Sequence, residues 1–259
     1  MITLLNGETW EEQDILSKMD DDSFYYGHLG QNALSSSSLK KLIESPKAYL
    51  ASLRQSDNSQ ALRDGQLVHL SILEKHKLKD LVIIEGTKAR KEYKDAVAEH
   101  GERNVFTESE VNNAYWIADA VHQNQEAMYL LSDCDYEVPA IAMIEGIAHR
   151  AKADAISKDR KVIIDIKTTS SKLDDFSWSA KNFKYALQAS LYLRIFGAEE
   201  FIFLTVQKET KDIGIFTCSD QFLEYGYMDV LAGIGAYKKF FLQPNSEELI
   251  KNNVIRGIL

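Results

Sequence analysis

AHRAKADAISKDRKVIIDIKTT, residues 148–169, is the segment on which the reading of the fold turns. In its second half Val162, Ile164 and Ile166 alternate with Ile163, Asp165 and Lys167. Successive side chains of a strand point to opposite faces, so Asp165 and Lys167 share one face, roughly 7 Å apart by strand rise. An isoleucine-rich strand with a charged pair on one face reads as an inner strand that carries a site. Lys158-Asp159-Arg160 supplies a turn. If Ser157 pairs with Val162 across it, Asp154 stands opposite Asp165. Two carboxylates about 5 Å apart across a hairpin repel, and a divalent cation between them reverses the sign. Hard oxygen ligands suit Mg²⁺, with Mn²⁺ able to substitute. Asp154, Asp165 and the Ile166 backbone carbonyl are therefore the expected metal ligands. Lys167 is placed to orient a water or to stabilise charge on a phosphate undergoing hydrolysis. A one-residue slip of the pairing would undo this arrangement, and Asp-x-Lys alone is a common, weak motif.

Working outward, residues 136–144 (YEVPAIAMI) and 147–157 read as a hairpin turned at Glu145-Gly146. Residues 183–196 read as a helix, 201–207 and 212–217 as strands, and 219–241 as a closing helix before a loose tail. Upstream the pattern is helical. Leu39, Leu42, Ile43, Tyr49 and Leu50 recur at helical spacing with a break at Pro46, and Leu62, Val68, Ile72 and Leu73 continue it over 60–77. Residues 88–99 form an exposed helix. Residues 107–130 form a long one, opened by the capping-box pattern Thr107-Glu-Ser-Glu110. The expected fold is α/β (α+β): a central mixed β-sheet flanked by helices, with a helical N-terminal part. Residues 1–259 would be a single domain, 1–130 mainly helical and 131–259 sheet-containing.

Composition narrows the classes. A net charge of −9 argues against a protein that coats nucleic acid, but not against one with a local basic channel. There is no apolar run long enough for a membrane span and no basic, secretory N-terminus. Two distant cysteines, Cys134 and Cys218, suit a reduced cytoplasmic protein. Four would be needed for an iron–sulfur cluster, so none is expected.

Other residues join the hairpin. Gln188 and Tyr192 are one helical turn apart and reach over the strand carrying Asp165 and Lys167, although Tyr192 also reads as a core aromatic. His69 lies on a mostly apolar helix face beside Gly65, and it reads either as a core histidine or as a metal ligand. Glu145 is a turn residue that could add a carboxylate for a second metal. Arg150 and Lys152 share a strand face with Asp154 and suit DNA phosphates, and Lys158, Arg160 and Lys161 extend that cluster. Within Ser35–Ser38, Ser35 and Ser37 either cap a helix or touch a phosphate.

The order His69, Asp154, Asp165-Ile166-Lys167 and Gln188-x-x-x-Tyr192 resembles the PD-(D/E)xK nuclease superfamily in its RecB-like branch. Ala153 stands where that motif often has proline. ALSSSSLKKLIESPKAYL (33–50), DGQLVHLSILE (64–74) and GTKARKEYKDAVAEHGERNVFTESE (86–110) resemble the RecE-type exonucleases (exodeoxyribonuclease VIII-like) of phage and prophage recombination systems. The resemblance runs from about residue 25 to 210. It implies a metal-dependent exonuclease that digests linear double-stranded DNA from the 5′ end in the 5′→3′ direction, leaving a 3′ single strand. It also implies a ring-shaped homo-oligomer, a trimer or tetramer, working with a RecT-like single-strand annealing protein in a bacterial cytoplasm. His69, Asp154 and Asp165 would be metal ligands, Lys167 the catalytic lysine, and Gln188 and Tyr192 accessory residues. An endonuclease or junction resolvase with the same site, or a DNA-binding protein without catalysis, are the alternatives.

Overall fold

The structure is a computed structural model, and it describes residues 1–54 and 59–254. The chain begins with elements that carry no legible periodicity. β1 (Ile2–Thr3) and β2 (Thr9–Trp10) pair antiparallel. α1 (Glu12–Leu16), a π-helical turn over Ser23–His28 and α2 (Leu29–Asn32) follow. Helices this short are not stable alone. Ile15, Met19, Tyr25 and Leu29 hold them by burying against Ile141 and Ala148.

α3 (Ser36–Glu44) and α4 (Pro46–Arg54) meet at Ser45, where the backbone is extended. Pro46 opens α4, at a position where its missing N–H costs no hydrogen bond. α5 (Gln60–Leu73) is followed by a short parallel pair, β3 (Val82–Ile84) and β4 (Val105–Thr107), on either side of α6 (Lys91–His100). The helix expected over 107–130 is two. α7 (Glu108–Gln123) starts on the full Thr107/Glu110 capping box. α8 (Gln125–Leu131) starts on Asn124, whose side chain accepts from the Ala127 N–H at 2.9 Å. An asparagine offers its own cap more readily than it continues a helix.

The central sheet comprises β5 (Cys134–Ile144), β6 (Ile147–Ser157), β7 (Val162–Thr169), β8 (Glu200–Gln207) and β9 (Ile213–Thr217), in that order. It is mixed: β7 and β8 run parallel and the other neighbours antiparallel. A parallel pair needs a crossover, supplied by α9 (Phe176–Asn182) and α10 (Tyr185–Phe196). α11 (Asp220–Phe241) and α12 (Ser246–Lys251) close the chain, so part of the expected loose tail is helical.

β7 is covered on both faces. Ile164 and Ile166 pack with Leu67 and Val68 of α5 and Ile117 and Val121 of α7. Ile163 packs on the other side with Phe176, Ala189 and Leu193 of α9 and α10. By alternation Asp165 and Lys167 belong to the α10 side. α3 and α11 clamp α10 from outside through Leu39, Leu42, Leu187, Leu191, Val230 and Ile234. The mixed sheet flanked by helices is the expected architecture, and it puts the charged pair of β7 under α10.

Candidate active site

The pairing of β6 with β7 has the register that sets Asp154 opposite Asp165: Ala155 pairs with Ile164 and Ile156 with Ile163. At the next step a side chain replaces the ladder. Asp154 Oδ2 accepts the backbone N–H of Ile166 at 2.7 Å. The strands open at this point, and the functional groups gather where the Asp154 carboxylate enters the gap.

Asp165 is 2% exposed. Gln188 Nε2 donates to its Oδ1 at 2.7 Å, and Lys167 Nζ lies 2.6 Å from its Oδ2. Burial pushes the Asp165 carboxyl up to about 6, with Lys167 opposing and Asp154 adding to the rise. Burial also works against the charge on Lys167, but the carboxylates of Asp165 and Asp154 outweigh it and raise its pKa. Lys167 is therefore a fixed cation at neutral pH. Tyr192, one turn beyond Gln188, packs on Phe196 and Phe201. Burial, reinforced by Tyr25, Asp165 and Asp154, keeps its phenol neutral.

His69 approaches from α5. Its Nε2 is 3.1 Å from the Ile166 carbonyl oxygen, and its Nδ1 is 3.5 Å from Asp154 Oδ1 and 3.9 Å from Glu137 Oε1. A proton on Nε2 satisfies the carbonyl and leaves the Nδ1 lone pair facing the carboxylates, the anchored-imidazole arrangement of metal-binding histidines. The Ile166 carbonyl, expected as a ligand, here anchors that ring.

Glu137 is the residue the sequence reading missed. It lies on β5 in the register that faces Asp154, between the pairs Tyr136–Ala155 and Val138–Ala153. Its φ of 50° is left-handed, which is strained for glutamate, and it swings the carboxyl toward His69. Burial pushes its pKa up to about 7, the Asp154 charge adds to this, and His69 and Lys152 oppose it. The ligating atoms of His69, Glu137 and Asp154 all lie within 4.8 Å of one another. Two carboxylates and an imidazole lone pair at this spacing fit a hard divalent cation. A signal for Glu137 existed: counting both strands back from the Glu145-Gly146 turn sets it opposite Asp154.

The remaining expected residues fall elsewhere. Glu145 sits exposed at the hairpin tip with φ 51°, nine residues along β6 from Asp154, or roughly 30 Å at strand rise. The structure does not bring it to the cluster. Ser35 caps α3, accepting the Ser38 N–H at 3.3 Å, and Ser37 is exposed beside it. Arg150 lies over the Tyr25 ring at 4.5 Å, and Lys152 pairs with Asp22 at 3.2 Å. Lys158, Arg160 and Lys161 are paired with Asp133, Asp135 and Glu199 at the far end of the hairpin, so they do not extend a basic surface to the site. Two groups that the sequence did not single out, Lys40 and Tyr185, do reach it. Lys40 of α3 and Lys167 lie over the same ring, that of Tyr185, at 5.6 and 5.1 Å from its centroid.

No functionally curated protein matches the sequence. Among solved structures, a candidate exonuclease from Eubacterium rectale has the same fold, with a TM-score of 0.62 at 16% identity over 92% of this chain and 95% of that one. A phage-related exonuclease from Haemophilus somnus aligns over 80% of this chain and 94% of that one at 16% identity, with a TM-score of 0.35. No helix among the described residues is long and apolar enough to cross a membrane. The model of one family matches residues 35–245, spanning every strand of the central sheet and each residue of the cluster, and the chain therefore belongs to the PDDEXK-like domain of unknown function family (DUF3799).

Proposed function

We propose that the protein is a divalent-metal-dependent deoxyribonuclease that digests linear duplex DNA from an end, as RecE-type enzymes do. The observation that carries this reading is the convergence of His69, Glu137 and Asp154 beside the Asp165–Lys167 pair, where β6 and β7 open. His69, Glu137 and Asp154 would hold Mg²⁺, or Mn²⁺ in its place, with Asp165 adding its charge alongside. When bound, the ion supplies Lewis acidity toward a phosphate oxygen and makes a water more acidic. The chain does the rest. Lys167, kept cationic by its carboxylate neighbours, stabilises charge that develops on the phosphate. Asp165 and Gln188 fix the position of that ammonium. The Ile166 carbonyl fixes the His69 ring.

Around this centre we place the rest of the RecE-type scheme. Residues 1–259 act as one nuclease unit on double-stranded ends in the 5′→3′ direction. The product is a 3′ single strand for a RecT-like annealing protein. The unit works as a ring-shaped trimer or tetramer in a bacterial cytoplasm.

Digestion of end-labelled linear and covalently closed circular duplex in Mg²⁺ or EDTA tests the reading. Linear DNA should be degraded in Mg²⁺ alone, with the closed circle intact. Lys167→Ala and Asp165→Ala should each lower the rate by roughly 10²–10³ or more. Cutting of the closed circle would replace the exonuclease with an endonuclease or junction resolvase. Binding of DNA with no product in Mg²⁺ would leave a non-catalytic DNA-binding protein.

A further inference from the structure

Phe183 and Tyr185 are two residues apart, a separation at which helical side chains do not face each other. Here their rings stack, with centroids 5.8 Å apart and planes 26° from parallel. Lys184 makes this possible. It lies between α9 and α10 in the left-handed region, at φ 51° and ψ 48°. A lysine is strained there, and such strain tends to persist where a site requires it. The Lys184 ammonium is tied to Asp229 of α11 at 2.9 Å, which holds the turn in place.

Tyr185 is the inner ring. It packs against Phe176 and Phe203, and Lys167 Nζ lies over it. Phe183 is the outer ring and is 59% exposed, so an apolar face runs outward from the catalytic lysine into solvent. Lys40 flanks the pair through Tyr185. Burial pulls its pKa down to about 8, Lys167 and Lys184 add to this, and Asp165 opposes it. No carboxylate forms an ion pair with Lys40 among the described residues. An ammonium held beside two others without a counter-ion favours an incoming anion.

Aromatic faces in a row with a cation at their side match a strand whose bases are unpaired. Every base has a π-face to stack, and every nucleotide brings one phosphate. Within a duplex those π-faces are already covered by neighbouring bases. We infer that Phe183 and Tyr185 form a stacking shelf for the unpaired terminal bases of a DNA strand, with Lys40 holding a backbone phosphate beside Lys167. The inference rests on the nuclease reading for its orientation, since Lys167 marks the inner end of the shelf.

The test uses the full chain in EDTA with an oligothymidylate of about ten nucleotides carrying a terminal 2-aminopurine, a length that spans one binding site. Binding to the wild type should quench the 2-aminopurine. Phe183→Ala should weaken binding roughly tenfold and abolish the quench, and Phe183→Trp should restore both. Lys40→Ala should weaken binding while leaving the quench of the bound oligonucleotide. Phe183 is exposed, so these effects are not those of a lost core residue. A Phe183→Ala protein that binds and quenches like the wild type overturns the shelf. So does a loss confined to blunt duplex with none on the single strand. Digestion of linear duplex in Mg²⁺ is read alongside. A wild type that quenches but digests nothing keeps the shelf and removes the nuclease reading. A wild type that digests DNA while Phe183→Ala is unchanged in binding and quench removes the shelf alone.

Discussion

Glu137 occupies a left-handed backbone position inside an eleven-residue strand, with its carboxyl turned toward another carboxylate. Both features are unfavourable without a cation. Its pKa is raised to about 7, by burial first and by Asp154 next. A folded-state value above the unfolded one means that the folded protein binds the extra proton. The associated stability is complete below pH 4.5 and is lost as pH rises through 7. Glu137→Gln mimics the protonated form. In EDTA it should match the wild type near pH 4.5 and exceed it by about 1–3 kcal/mol at pH 8, read from denaturant midpoints. In Mg²⁺ the order should invert, because the variant loses a ligand and with it the stabilisation that binding confers. A variant less stable than the wild type in EDTA at pH 8 would remove Glu137 from the proposed cation site. At this scale the sequence was informative where residue type and spacing agree. Asp154, Asp165, Lys167, His69 and Gln188 were all marked by motif order or strand parity. Glu137 was missed although its register opposite Asp154 can be counted from the Glu145-Gly146 turn, since the approach of its carboxyl to His69 depends on one strained φ angle that no motif records. Lys40 stayed hidden because only the docking of α3 brings it to Lys167, and Tyr185 because only the packing of α10 on the sheet does.

Elements were legible in proportion to their own periodicity and punctuation. The limits of β6 follow from its alternation and two flanking turns, and the start of α7 from a capping box. The first 33 residues gave no pattern, because their short strands and helical turns are held by burial against β5 and β6. One tight helix contact was also invisible. Gly226 of α11 lies against the Ala186 backbone of α10, so near that a Cβ would overlap the carbonyl oxygen. α10 carries Gln188, and its position sets the hydrogen bond to Asp165. Gly226→Ala must therefore push α10 and α11 apart. It should cost about 1–3 kcal/mol and lower the nuclease rate together with stability. Gly235, on the same helix, has nothing within 4 Å of its would-be Cβ. Gly235→Ala should instead stabilise by up to about 1 kcal/mol through helix propensity, with activity unchanged. Thermal melts and turnover on linear duplex distinguish the two. Equal effects from both substitutions would show that α11 tolerates or resists a methyl group irrespective of its packing.

For the whole molecule, a net charge of −9 has to be reconciled with the polyanionic substrate we propose. The structure does this by pairing. Lys152, Lys158, Arg160 and Lys161, which cluster in the sequence, each meet an acidic partner and contribute little net field. Near the cluster stand three cations that the nuclease reading sets against phosphate: Lys40, with no carboxylate ion pair among the described residues, Lys167 against Asp165, and Arg150 stacked on Tyr25. Binding should therefore rest on a few phosphate contacts close to the chemistry, whereas a protein that coats DNA neutralises many. Each neutralised phosphate contributes about −0.9 to the slope of log affinity against log salt on duplex DNA. Three or four contacts predict a slope between about −2.5 and −4, measured in EDTA on linear duplex by fluorescence anisotropy. Lys40→Ala should make it shallower by about one, because it deletes one contact. Lys158→Ala should leave it unchanged, because that lysine already faces Asp133 at 3.2 Å and lies at the far end of the hairpin. A slope of about −8 or steeper would mean that DNA is gripped along an extended surface and would overturn the expectation of a few contacts close to the chemistry.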